Sequence, residues 1–276
     1  MSNIAVLKFG GTSVKNVQRL RHVASIVEKS ARACKTIVVV SAMGDSTDRL
    51  VQLATQCSDA PAKQELDVLL ATGEQVTIAL LSILLKDAGI NARSFTGAQA
   101  GIVTDDCHSD ANILNIDADC IHKAFEDHDV LVVAGFQGAT TGGNIATLGR
   151  GGSDTTAVAL AAAVQAVSCD IFTDVDGIYD CDPNKHSDAI KYDEISFVDC
   201  LHLAENGAQV IHPRAVIVAQ NFNLPVRVRS TFALHDQGTL ICSKVQALRP
   251  KLTLLRGHGS HGGVCDRPRA GQAALG

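Results

Sequence analysis

The sequence lacks tryptophan, holds only six prolines, and has no excess of basic residues: 24 Lys and Arg stand against 29 Asp and Glu, a net charge of −5 over 276 positions. That balance argues against nucleic acid as the main partner. The longest apolar runs, such as Ile78–Leu85 and Val158–Val164, fall far short of the roughly 20 residues a membrane span needs, so no membrane partner is expected. The chain passes from Met1-Ser2-Asn3 straight into a strand-like run, and no signal peptide is expected. No two of the nine cysteines stand at CxxC spacing, which argues against a zinc site or a disulfide framework and for reduced thiols in the cytoplasm. What is present is 46% apolar and 19% charged residues with 23 glycines, the composition of a soluble globular α/β protein and not of a disordered chain.

Strand-like and helix-like segments alternate. Ile4–Phe9 is a short, β-rich run. Thr36–Ser41, apolar until its last residue, and Val130–Ala134 read as strands buried on both faces of a parallel sheet. Val17, Leu20, Val23, Ala24 and Val27 share one face of a helix over Val17–Ala31. Further helices are expected over Asp45–Cys57, Ala62–Ala88 with a break near Thr72-Gly73, Asp117–Asp127, Ser153–Val167, Val198–Asn206 and Pro213–Asn221. Strands are expected at Asn91–Phe95, Asp170–Thr173, Val226–Arg229 and Thr239–Ile241, with a polar loop over Gly135–Gly152. Alternation of this kind predicts a three-layer α/β/α sandwich with a mostly parallel central sheet. No interior linker or repeat divides residues 1–245, expected to be one domain; residues 246–276 turn rich in Gly, His and Arg and read as a tail.

Three glycine-rich clusters follow strands, where open α/β sheets bind ligands. Lys8-Phe9-Gly10-Gly11-Thr12-Ser13 combines close backbone approach, a helix N-terminus and a full positive charge. It also fits an ordinary strand–helix turn with a solvated lysine. Gly149-Arg150-Gly151-Gly152-Ser153-Asp154 opens a small-residue helix; either Ser153 or Asp154 could serve simply as its N-cap. Thr173-Asp174-Val175-Asp176-Gly177 places carboxylates at a third strand end, or forms a plain turn. No Walker loop occurs. A G-x-G-x-x-G match at Gly257–Gly262 has no helix pattern after it and too little chain for the acidic partner of a dinucleotide site. Two basic residues among three anion cradles suggest a phosphorylated nucleotide and an anionic substrate.

The order of KFGGTSV at 8–14, VVVSAMG at 38–44, GE at 73–74, GRGGSDTTAVALAAA at 149–163, TDVDGIYDCDP at 173–183 and GAQVIHPRAV at 207–216 closely resembles the catalytic domain of aspartate kinases, in the amino-acid kinase family. The resemblance spans roughly residues 3–245 and implies the amino-acid kinase (carbamate kinase-like) fold. It implies transfer of the γ-phosphoryl group of ATP, with Mg²⁺ carried by the nucleotide, to the side chain of L-aspartate, the first step towards lysine, threonine and methionine. Lys8 and Asp154 are then the catalytic pair, Asp154 orienting Lys8 or a metal-bound water. Ser41, Thr47, Glu74, Arg150, Gly151, Gly152 and Ser153 hold the amino acid, with Glu74 on its ammonium and Arg150 on its α-carboxylate. Lys8, Phe9, Gly10, Gly11, Ser13, Thr173, Asp174, Tyr179, Asp182, Lys185 and Gln209 lie at the nucleotide.

Two departures stand out. Gln209 occupies a position where many relatives carry lysine, and Asn184 one where arginine is common, with Lys185 next to it. The resemblance also leads one to expect two regulatory ACT domains after residue 250, and the Gly/His/Arg-rich tail does not look like one; it reads as a remnant or altered start. Two other functions stay open: a kinase of the same family acting on another amino acid, and a weakly active binding subunit. A homo-oligomer is compatible with either.

Overall fold

The computed structural model describes residues 3–183, 185–205 and 210–243. The expectations for the tail, and for Asn184 and Gln209, lie outside the described residues.

In chain order the first half contains β1 (Ile4–Phe9), α1 (Val17–Ala31), β2 (Lys35–Val40), α2 (Ser46–Cys57), α3 (Lys63–Asp87), β3 (Ala92–Phe95), β4 (Ile102–Thr104), β5 (Ile113–Ile116) and α4 (Ala118–Asp127). The second half contains β6 (Val130–Ala134), β7 (Gln137–Thr140), β8 (Ile145–Thr147), α5 (Gly152–Ala163), β9 (Ser168–Thr173), β10 (Glu194–Ser196), α6 (Phe197–Glu205), α7 (Pro213–Asn221), β11 (Val226–Ser230) and β12 (Thr239–Cys242). An eight-stranded sheet runs β10-β12-β11-β9-β1-β2-β6-β3, parallel except where β12 returns against β11.

The uninterrupted apolar strands serve two cores. Val6, Ile37, Val39, Leu131, Val133 and Ile171 face α4, α5, α6 and α7. Their neighbours Leu7, Phe9, Val38, Val40, Val132 and Phe172 face α1 and α3. Successive strand residues point to opposite sides, so a strand that is apolar at every position needs helices on both faces. The expected three-layer sandwich is thus the observed one.

A second sheet, β5-β4-β7-β8, stands beside it. Its strands are short and partly polar, and the sequence reading misses β4 and β5 and takes β7 and β8 for loop. Their order comes from pairing with each other, which no local period announces. β10 is missed for the same reason.

The break expected near Gly73 does not occur; α3 is continuous. Gly73 is there because a side chain would stand 2.9 Å from the Cβ of Ala42, so helix and strand end touch. By length and composition α3 could cross a membrane, but half of that stretch is buried inside the protein, and Asp67 and Glu74 are among its buried residues.

The order of strands puts the switch point at β1. The chain crosses from β1 to β2 on one side and later fills β9 on the other. The carboxyl ends of these three strands define the crevice.

Candidate active site

Lys8 is the fifth residue of β1, and its side chain leaves the sheet near the carboxyl end. Its ammonium lies 2.6 Å from Oδ1 of Asp154, with both side chains about nine-tenths buried. The contact is an ion pair and not an aligned hydrogen bond, since Oδ1 has no hydrogen-bond partner. Oδ2 of Asp154 accepts from the amide of His212 at 3.3 Å. Asp154 lies in the first turn of α5, where the helix dipole favours a carboxylate.

Neither Ser153 nor Asp154 caps that helix. The cap is Gly151, left-handed at φ +70° and without a side-chain bond. A Cβ there would fall 2.0 to 2.5 Å from the His212 ring, so glycine is required twice over. Amide donors at the start of α5 therefore stay open to an anion. Ser153 packs against Gly135 at the end of β6, and Gly152 is buried beside Phe136 and Leu148. Arg150 is exposed at the mouth of this loop.

The first loop is folded tightly onto its neighbours. The Gly10 amide donates to Phe172 O at 3.4 Å and the Ser41 amide to Phe9 O at 3.1 Å, continuing the ladder on both sides of β1. A Cβ on Gly11 would meet Ala42 O at 3.0 Å, and the Gly44 amide donates to Gly11 O at 3.2 Å. A Cβ on Gly10 would stand 3.4 Å from the Lys8 ammonium, so the glycine lies directly against the amine.

Glu74 comes from α3 and is 3% exposed. Its Oε1 accepts from the Ala42 amide at 3.0 Å, whereas its Oε2 is buried with no partner. Burial pushes its carboxyl up to about 7, against the pull of the Ala42 amide. An orphaned carboxylate oxygen is costly unless a ligand completes it, and a cation such as an ammonium would do so. Ser41 is half-buried next to Ala42, and Thr47 is half-buried in the first turn of α2 just beyond Gly44.

The third cluster closes the other side. Thr173 ends β9, and its hydroxyl donates to Asp174 Oδ1 at 3.2 Å. Tyr179 donates to Asp176 Oδ1 at 3.0 Å, and the added burial raises its phenol above the ordinary range. Asp182 and Lys185 lie on the exposed stretch that follows, paired at 3.3 Å.

Sequence reasoning misses several residues here. Thr231 is fully buried; its hydroxyl lies 2.6 Å from Ser13 Oγ, its amide donates to Thr173 O at 2.8 Å, and its carbonyl lies 2.8 Å from His22 Nε2. It thus ties the first loop to the third, and nothing local marks it. Asp67, by contrast, has a signal: it is an acid on the apolar face of α3, seven residues before Glu74. Arg214, just after His212-Pro213, donates to Asp110 Oδ1, Leu148 O, Ala111 O and Asn112 Oδ1 at 2.7–2.9 Å.

The fold and this site identify the class. The model of the amino acid kinase family matches residues 3–230, and the chain belongs to that family. It is 51% identical to the aspartokinase of Geobacillus stearothermophilus over 88% of this chain and 60% of that protein. Among solved structures it resembles aspartate kinase from Synechocystis, with TM-score 0.78, 43% identity, and 88% of this chain covering 40% of that one. Escherichia coli aspartokinase III in complex with aspartate and ADP superposes with TM-score 0.77 at 28% identity, covering 88% of this chain and 65% of that one. The chain spans about three fifths of the length of the curated relatives it matches.

Proposed function

We propose that this chain is the phosphotransferase part of an aspartate kinase. It transfers the γ-phosphoryl group of ATP to the side-chain carboxylate of L-aspartate, giving 4-phospho-L-aspartate and ADP. The product stands at the entry to the lysine, threonine and methionine pathways. The observation that carries this reading is the Lys8–Asp154 pair set between two glycine loops, with the unpartnered oxygen of Glu74 brought by α3 against the chain just past β2. The likeness to a solved aspartokinase holding aspartate and ADP supports both ligands.

The chemistry suits these groups. The acceptor carboxylate, with an ordinary pKa of about 3.9, is ionised at neutral pH and needs no general base. One carboxylate oxygen forms a bond to the γ-phosphorus, the bridging bond to the β-phosphate breaks, and the electron pair leaves with ADP. No proton moves. The obstacle is bringing an anion against a polyanion, so positioning and charge stabilisation dominate. Lys8 supplies positive charge at the transferring group, and Asp154 holds the ammonium in place. Backbone amides of Gly11, Gly151 and Ser153 face the anionic groups, Gly10 and Gly152 let the backbone approach them closely, and Ser13, fixed by Thr231, shapes the first loop. Glu74 takes the substrate ammonium, Arg150 its α-carboxylate, and Ser41 and Thr47 the remaining polar edge. Thr173, Asp174, Tyr179, Asp182 and Lys185 line the nucleotide side, beside Phe9.

Bound with the nucleotide, Mg²⁺ neutralises phosphate oxygens. The exposed carboxylate of Asp174 and the unbonded lone pairs of Asp154 are suited to hold it or its waters.

The test is direct. Purified protein with MgATP, L-aspartate and hydroxylamine should form aspartyl hydroxamate. Activity only with another amino acid would replace the substrate, and none with any acid would overturn the kinase reading.

A further inference from the structure

Among the described residues three acids are buried: Asp154, Glu74 and Asp67. The first two have tasks in the reading above. Asp67 is fully buried and has none.

Its partners define what it does. Oδ1 accepts from Thr147 Oγ at 2.5 Å and from Ser109 Oγ at 3.3 Å. Oδ2 accepts from the Thr147 amide at 3.1 Å and the Ser109 amide at 3.0 Å, and lies 2.9 Å from His108 Nδ1. Five contacts around one carboxylate more than satisfy a buried charge. An apolar residue would fill the space without needing any of them. What the arrangement adds is a strap between three segments far apart in sequence.

Thr147 ends β8 and stands three residues before Arg150. Ser109 is held left-handed at φ +71°, and its carbonyl lies 3.1 Å from the Cβ position of Gly149. Asp110 Oδ1 lies 2.9 Å from that same position. Arg214 grips the far side of this turn through Asp110 and Leu148 O. Asp67 therefore holds both the strand end that leads into the Arg150 loop and the turn on which that loop rests.

Glu74 is seven residues further along the same helix, hence on the same face two turns on. An α-amino acid offers an ammonium and a carboxylate at a fixed separation. Glu74 and Arg150 can take both only if α3 and the β8–α5 loop keep a fixed spacing. Besides Asp67, one neutral bond ties α3 to the adjoining sheet, Gln137 Nε2 to Ala71 O at 2.9 Å.

We propose that Asp67 is a positioning residue that sets the distance between Glu74 and Arg150, and so governs affinity for the amino acid without governing affinity for the nucleotide. This rests on the kinase reading for the identity of the substrate, not for the strap itself.

Asp67→Asn keeps the volume and sets a donor against donors. The expected result is a KM for L-aspartate raised about tenfold or more, with the KM for MgATP changed by less than about twofold. Hydrogen exchange should rise at residues 105–112 and 147–152 and not in β1, β2 or β9. Ser109→Ala, which removes one donor and leaves the carboxylate bonded, should show the same split at about threefold. It decides the matter if Asp67→Asn does not fold. Folded variants with an unchanged amino-acid KM, or with both KM values raised together, overturn the proposal. If the wild-type protein phosphorylates another amino acid, the substrate assignment fails and the same comparison is made with that acid. If it phosphorylates none, exchange decides: an unchanged rate at 147–152 overturns the strap.

Discussion

Glu74 and Lys8 show how single residues carry this site in opposite ways. Burial raises the Glu74 carboxyl from 4.5 to about 7 in the ligand-free protein. Its folded value exceeds its unfolded one, so the folded state binds the extra proton. The stability this group contributes is fully present below about pH 4.5 and is lost as pH rises through 7. The difference in melting temperature between the wild type and Glu74→Gln, followed from pH 5 to 8, should fall along that course. Substrate binding runs the other way. An ammonium favours the ionised carboxylate, so the KM for L-aspartate should rise as pH falls below 7, with a shallower slope in Glu74→Gln; a pH-independent KM would remove Glu74 from the ammonium. Lys8, held by Asp154, puts its charge at the transferring phosphoryl group, so its loss costs most in the transition state. Lys8→Ala should lower kcat by about a hundredfold or more while the fold is kept, as read by turnover and circular dichroism.

At the scale of elements, α5 matters most. It is built almost wholly of small residues and is buried along most of its length. Ser153 and Asp154 lie inside its first turn and not at its cap, and with glycine as the cap the helix has no side-chain cap bond. Gly151 makes this possible by turning left-handed against His212, whose ring caps α7 by accepting from the Arg214 amide at 3.3 Å. Gly151→Ala would strain the backbone by about 1–2 kcal/mol and also drive a methyl group into the imidazole. The expected outcome is a fall in urea midpoint together with a loss of kcat, because the Asp154 carboxylate also rests on the His212 amide. An unchanged midpoint would mean that α7 yields freely at its N-terminus. Element boundaries near this site were legible where local rules decide them. Val17–Ala31 and Pro213–Asn221 agree with the expected helices to the residue, the first capped by Asn16 and the second led by proline. The expected break at Gly73 failed because glycine's cost in a helix is about 1 kcal/mol, less than what continuous packing of α3 returns.

For the whole molecule, the crevice lies where β1, β2 and β9 meet, between two cores that share one sheet. Ligands that bridge these strand ends should stabilise the entire sheet. At about 100 times its dissociation constant, a ligand adds about 2.7 kcal/mol, which for a domain of this size is roughly 5–10 °C in Tm. MgADP with L-aspartate should give such a shift in a thermal scan, and D-aspartate a smaller one. No shift with either would deny that the crevice binds them. The sequence by itself determined the class of fold, because strands apolar at every position must be covered on both faces. It also determined which loops could approach a phosphate, because glycine and lysine at a strand end act through local geometry and charge. Only the tertiary structure decided the pairing of Lys8 with Asp154, 146 residues apart in number, and the unpartnered oxygen of Glu74. It alone decided the second sheet, the Thr231 tie and the Asp67 strap as well. Those depend on long-range contacts between segments whose own periodicity is weak. A buried carboxylate takes its meaning from donors that arrive from elsewhere in the chain.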